Sequence, residues 1–115
     1  MFVGALMGGI GVAIGAFGAH GLRGRLSPEM LAVFETGVRY HMYHALAILA
    51  TAAIMPRLDS RAVVVAGWSF MTGILLFSGS LYALALSGVT TLGAITPIGG
   101  VAFLIGWISL AVAAF

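Results

Sequence analysis

No charged side chain precedes Arg23, and none follows Arg61. The charges fall in two short stretches, Arg23 to Arg39 and Arg57 to Arg61, and the runs between and beyond them are apolar. A water-facing domain carries roughly 25% charged residues. This chain has 7%, with 62% hydrophobic residues, so the medium around most of its surface must be lipid. In lipid the backbone has to satisfy its own hydrogen bonds, which leaves helices or a closed barrel. The apolar runs have the length of membrane helices, about 20 residues, rather than of barrel strands. The expected fold is an all-α membrane protein, one domain over 1–115, with four antiparallel transmembrane helices at about 1–19, 40–55, 62–86 and 97–115.

The first run, Met1 to Ala19, lacks the basic n-region of a signal peptide and reads as a span. Its Gly4, Gly8, Gly11, Gly15 and Gly18 step by four, three, four and three. That seam of the smallest residue lets another helix approach closely and gain dispersion contacts. Ser27-Pro28-Glu29 reads as a helix start, with Ser as N-cap and Pro in the first turn. It opens an amphipathic segment at about 28–38, either interfacial or the first turns of the second span, with Gly37 as the expected break. Pro56 is expected to end that span before a tight hairpin containing Arg57, Asp59 and Arg61. The third span is about 37 Å long at 1.5 Å per residue, enough to cross with tilt. Ser87 to Ile95 reads as an uncharged loop, and Thr96-Pro97 as the cap of the last span.

Glu35 to His44 holds most of the ionisable chemistry. Wound as a helix, it sets Glu35, Arg39 and Tyr43 on one face and Gly37, Tyr40, His41 and His44 roughly opposite. Polar groups on both sides at membrane depth call for protein or water on both sides. An up-and-down path brings the end of span one, the start of span two, the end of span three and the start of span four to one side of the membrane. His20, Arg39, Tyr40, His44, Ser78, Ser80 and Tyr82 are thereby expected to meet near one leaflet. Convergent polar groups in an apolar chain are a candidate binding pocket. Three arginines on that side against two on the other leave the orientation open.

The same residues carry a family resemblance. Gly-Ala-Phe-Gly-Ala-His-Gly-Leu (15–22), Tyr-His-Met-Tyr-His-Ala-Leu-Ala (40–47), Leu-Phe-Ser-Gly-Ser-Leu-Tyr (76–82) and Ile-Thr-Pro-Ile-Gly-Gly (95–100) resemble the domain-of-unknown-function 423 family, also called the transmembrane protein 256 family. The resemblance covers nearly the whole chain. It implies a small multi-span protein of bacterial inner membranes, with mitochondrial relatives, and no established reaction. It implies a fixed histidine at His20 and a fixed Tyr-x-x-x-His at Tyr40 and His44. Arg39 and His41 fall where relatives carry other polar residues.

Each candidate has a structural alternative. His20 and His44 suit a proton relay or an anion site near neutral pH, or each simply donates to a carbonyl and locks the bundle. Glu35 and Arg39, four apart, suit a local ion pair; a free guanidinium suits a phosphate or carboxylate. Ser78 and Ser80 serve packing as readily as a path. No cysteine is present, which excludes thiolate and iron–sulfur chemistry, and no metal or other cofactor is implied. A net charge of +2 without a basic stripe excludes a nucleic-acid partner. No nucleophile elbow is present, so no enzyme is expected. The leading reading is a homo-oligomeric membrane protein whose pocket binds or passes a small solute, an anion or a lipid headgroup. The alternative is an accessory subunit of a larger membrane complex that docks through the glycine seam.

Overall fold

The computed structural model describes residues 1–58 and 61–115, and every long element in it is helical. Helix α1 (Phe2–Phe17) continues through a π turn (Gly18–Leu22). Helix α2 spans Pro28–Leu58. Helix α3 (Arg61–Gly73), a π turn (Ile74–Ser78) and α4 (Gly79–Ser87) form one continuous rod. A 3-10 turn (Thr90–Ala94) leads into α5 (Thr96–Ala113). Three of the rods, Phe2–Leu22, Arg61–Ser87 and Thr90–Ala113, are long and apolar enough to cross a membrane. The remaining rod, α2, has the length but carries the Glu35 to His44 segment.

Local chemistry explains most boundaries. Ser27 Oγ accepts the Met30 amide at 3.2 Å, the N-cap bond expected at the start of α2. Gly88 closes α4 at φ 72°, a left-handed conformation that costs glycine nothing, and its amide reaches the Leu84 carbonyl. Three expectations are corrected. Gly37 does not break the chain into an amphipathic helix and a span: α2 runs through it, and Gly37 is a contact point against Tyr82. Pro56 does not end the helix: α2 runs on to Leu58, and the missing N–H forfeits one bond, to the Ala52 carbonyl one turn back. Thr96 does not cap α5, because its hydroxyl is bonded to Ser80 instead. The hairpin expected at Asp59 lies outside the described residues.

Helix α2 is the centre of the bundle, packing against α1, α3 and α4. One apolar core joins Ala47, Ile48, Ala66, Phe70, Ile74 and Phe103; a second, at the far end, joins Leu22, Phe34 and Ala85 with Tyr82. Glycine notches set the close approaches. Gly4 faces Leu49, Gly11 faces Met42, Gly15 faces Val38 and Gly18 faces Phe34, so α1 contacts step backwards along α2. Gly8 has no neighbour within 4 Å and takes no part in this seam. The partner of the remaining four is in the same chain. Helices α3 and α5 interlock reciprocally: Phe70 lies over Gly106, and Phe103 lies over Gly73. Each phenyl ring occupies the volume that a side chain on the facing helix would need, which gains dispersion contacts where lipid supplies no hydrophobic driving force.

Candidate functional site

His44 sits mid-way along α2, buried, with its ring stacked on Phe103 at a centroid separation of 3.4 Å. Its two nitrogens are both engaged. Trp107 Nε1–H donates to Nε2 at 3.2 Å, and Nδ1 lies 2.7 Å from the Tyr40 carbonyl. An indole nitrogen only donates and a carbonyl only accepts. Nε2 must therefore carry the lone pair and Nδ1 the proton. His44 is a neutral imidazole in one tautomer, and a second proton would set two N–H groups against each other. Tyr40, Tyr43, His44, Gly100, Phe103, Leu104 and Trp107 line an open, largely aromatic groove of about 420 Å³ between α2 and α5.

One turn earlier, His41 Nδ1 is 3.2 Å from the Tyr82 hydroxyl. The Tyr82 ring lies on Phe34 and over Gly37, whose missing side chain admits it. His41 Nε2 is buried without a hydrogen-bond partner, and the α1 backbone at Met7 lies beside the ring, outside hydrogen-bond geometry. Ser80 donates to the Phe77 carbonyl at 2.9 Å and shares a 2.7 Å bond with Thr96, which ties α4 to the start of α5. Ser78, in the π turn, is fully buried and its hydroxyl has no partner.

The face of α2 carrying Glu35, Arg39 and Tyr43 is exposed. Arg39 Nη2 donates to Thr36 Oγ1 at 3.3 Å, one turn back. Beside it Gly15, Gly18, Ala19, Phe34, Glu35, Val38 and Arg39 line a cleft of about 270 Å³ between α1 and α2. Two glycines and an alanine form its α1 wall, so the backbone is the surface there. His20 is exposed on the π turn, next to Ala19 of that wall.

The candidate residues thus gather at one half of the bundle but in separate places. His44 and Tyr40 belong to the α2–α5 groove, and Tyr82 to a buried pair with His41. Ser80 belongs to a clamp with Thr96, while Ser78 is enclosed. Arg39 belongs to the α1–α2 cleft, and His20 lies outside all of these contacts. A single pocket shared by His20, His44 and Tyr82 is not formed, because helix α2 turns successive polar residues toward different neighbours. No cluster of three metal-ligating side chains is present among the described residues. Sequence reading did not single out Trp107 as a site residue and carried His41 only as a helix-face residue at a position where relatives have other polar residues. It also missed Phe-x-x-Gly at 34–37, 70–73 and 103–106, a repeated pairing that marks the notched contacts.

Comparison with known proteins relates this sequence to membrane proteins. Residues 14–100 match the family described as "Protein of unknown function (DUF423)". UPF0382 membrane protein YwdK of Bacillus subtilis is 50% identical over 115 residues, covering 99% of this chain and 94% of its own. UPF0382 membrane protein SAB0533 of Staphylococcus aureus is 50% identical over 115 residues, covering 100% of this chain and 93% of its own. A UPF0382 membrane protein of Haemophilus influenzae is 50% identical over 111 residues, covering 96% and 89%. No solved structure matches the chain.

Proposed function

From the premise that the chain belongs to the DUF423 family and is a small integral membrane protein, we propose that it binds a phospholipid in the cleft between α1 and α2, with Arg39 holding the phosphate. The bilayer in this reading is the bacterial inner membrane, and the bundle crosses it four times with antiparallel neighbours. The opposed order of the α1–α2 contacts and the reciprocal Phe70–Gly106 and Phe103–Gly73 contacts support that path. No chemistry is required of the protein beyond binding.

One observation carries the proposal: a guanidinium with a single side-chain hydrogen bond stands at the lip of an apolar cleft. Of the other polar candidates, His20 and Tyr40 are exposed, and the rest are spent or enclosed. Both nitrogens of His44 are occupied, Tyr82 is paired with His41, and Ser80 with Thr96. Depth agrees. Arg39 and Arg57 are separated by about 27 Å along α2 at 1.5 Å per residue. That is close to the roughly 30 Å thickness of a hydrocarbon core. With Arg57 at one boundary, Arg39 lies at the other, where lipid phosphates are. A guanidinium there has a planar donor fork for phosphate oxygens. The exposure of Glu35 and Arg39, unexpected for groups at membrane depth, follows from their lying at or above that boundary, with Tyr43 one turn inside it.

The test is retention of phospholipid by the purified protein in detergent, read by native mass spectrometry. Wild type is expected to carry one lipid that Arg39→Gln loses; equal retention by both removes Arg39 from the site and the proposal with it. Crossing number has its own test, since no native cysteine interferes. Single cysteines at Arg25 and Val89 are expected to label from one side of the membrane and one at Arg61 from the other. Labelling of all three from the same side refutes the four-span path. An accessory subunit docking through the glycine seam is disfavoured, because Gly4, Gly11 and Gly18 are covered by α2.

A further inference from the structure

We propose that the lipid held in the α1–α2 cleft is one with a zwitterionic phosphoethanolamine headgroup, its phosphate on Arg39 and its ammonium on Glu35; this rests on the phospholipid reading above. The cleft is lined by one acid and one base, Glu35 and Arg39, and by no other ionisable side chain. Residues four apart on a helix with opposite charge ordinarily pair with each other. Here the Arg39 guanidinium bonds to Thr36 Oγ1 instead, and no ion pair joins it to Glu35 among the described residues. Both charges thus line one cavity unneutralised by each other, an arrangement that a ligand carrying the complementary two charges completes.

The order of the charges along α2 sets which lipid fits. Glu35 is one turn closer to the helix start than Arg39, about 6 Å at 1.5 Å per residue. If Arg39 marks the edge of the hydrocarbon, Glu35 lies outward of it, in the headgroup layer. In a phosphoethanolamine lipid the phosphate is nearer the acyl chains and the ammonium is reached through a two-carbon link, so the charges of the ligand run in the same order as those of the helix. A primary ammonium has N–H donors for a carboxylate. A trimethylammonium has none, and a phosphoglycerol headgroup offers Glu35 no cation. The cleft has Gly15, Gly18 and Ala19 on one side and Phe34 and Val38 on the other, an apolar lining beside the two charges.

The experiment compares lipids with identical acyl chains and phosphoethanolamine, phosphocholine or phosphoglycerol headgroups, titrated onto the purified full chain and read by native mass spectrometry. The phosphoethanolamine lipid is expected to bind about tenfold more tightly than the phosphoglycerol lipid, the scale of a charge-assisted hydrogen bond. Glu35→Gln, a change at an exposed site, is expected to remove most of that difference by weakening phosphoethanolamine binding. Wild type binding the phosphoglycerol or phosphocholine lipid as tightly as the phosphoethanolamine lipid overturns the headgroup assignment. The phospholipid site itself then stands or falls separately, on whether Arg39→Gln loses all three. Unchanged lipid preference in Glu35→Gln also overturns the assignment. Water-soluble phosphoethanolamine binding as tightly as the intact lipid would place the ligand in solution and overturn it as well.

Discussion

Replacing Trp107 by Phe deletes one N–H and leaves an aromatic ring in place. The structure makes the consequence unequal for the two partners. His44 is 4% exposed and Trp107 50% exposed, so the lone pair abandoned on Nε2 is buried while the indole faces outward. Leaving a buried acceptor without a donor costs about 1–3 kcal/mol. Hydrogen bonds between membrane helices average about 0.6 kcal/mol and reach about 1.7. We expect Trp107→Phe to destabilise by about 1–2 kcal/mol. His44→Phe retains the stack on Phe103 and loses the same bond together with the one to the Tyr40 carbonyl, at about 1–2 kcal/mol by the same scale. Because the two changes remove one shared interaction, the double variant should fall short of their sum by about 1 kcal/mol. Equilibrium unfolding in mixed micelles of increasing denaturing detergent, followed by helical circular dichroism, measures all four proteins. Additivity within about 0.3 kcal/mol would show that the two side chains do not interact. The tautomer has an independent check. Nitrogen-15 spectra of histidine-labelled protein should show His44 protonated at Nδ1 and bare at Nε2, and a proton on Nε2 would refute the assignment outright.

Four further outcomes are expected in the same unfolding assay. Gly99→Ala places a methyl 2.7 Å from Phe77 Cα, which belongs to a backbone that cannot rotate aside, and should cost about 1–3 kcal/mol or more. Gly8→Ala meets nothing within 4 Å and should be neutral or stabilising by up to about 1 kcal/mol, the helix propensity of alanine over glycine; reversed signs for the two would refute the assigned surroundings of these glycines. Ser78→Ala removes a buried hydroxyl without a partner and should stabilise by about 1 kcal/mol, whereas a loss of that size would reveal a bound water or ligand at the π turn. Thr96→Val withdraws the partner of Ser80 and should destabilise by about 1 kcal/mol, because Ser80 is buried at the α4–α5 join; no change would show that the clamp contributes nothing.

Much of the fold was legible because its cause is local. The N-cap at Ser27 is a side chain two or three residues from the amide it satisfies, so its signature is contiguous. The spacing of Gly4, Gly11 and Gly18 states that a helix approaches closely, whichever helix it is. Pro56 misled because a proline costs a helix one bond to the preceding turn, a loss that a 31-residue helix packed against α1, α3 and α4 sustains. Gly37 misled for a different reason: its meaning depends on Tyr82, which arrives from a remote part of the chain. The site was harder to read. Tyr40, His41 and His44 are neighbours in the text, yet their rotation about α2 aims them at three different partners, Phe77, Tyr82 and Trp107. Nothing in the residues near Trp107 discloses that its N–H will meet a histidine from another helix.

Scarcity of charge fixed the solvent, and the solvent fixed helices, because a backbone without water must bond within its own segment. That much needs no knowledge of which helix touches which. Whether a polar side chain is a structural fastener or a free ligand group is decided by the opposite wall of its contact. His44 became a fastener when α5 brought Trp107 to it, and Arg39 was left open when α1 offered only glycine and alanine.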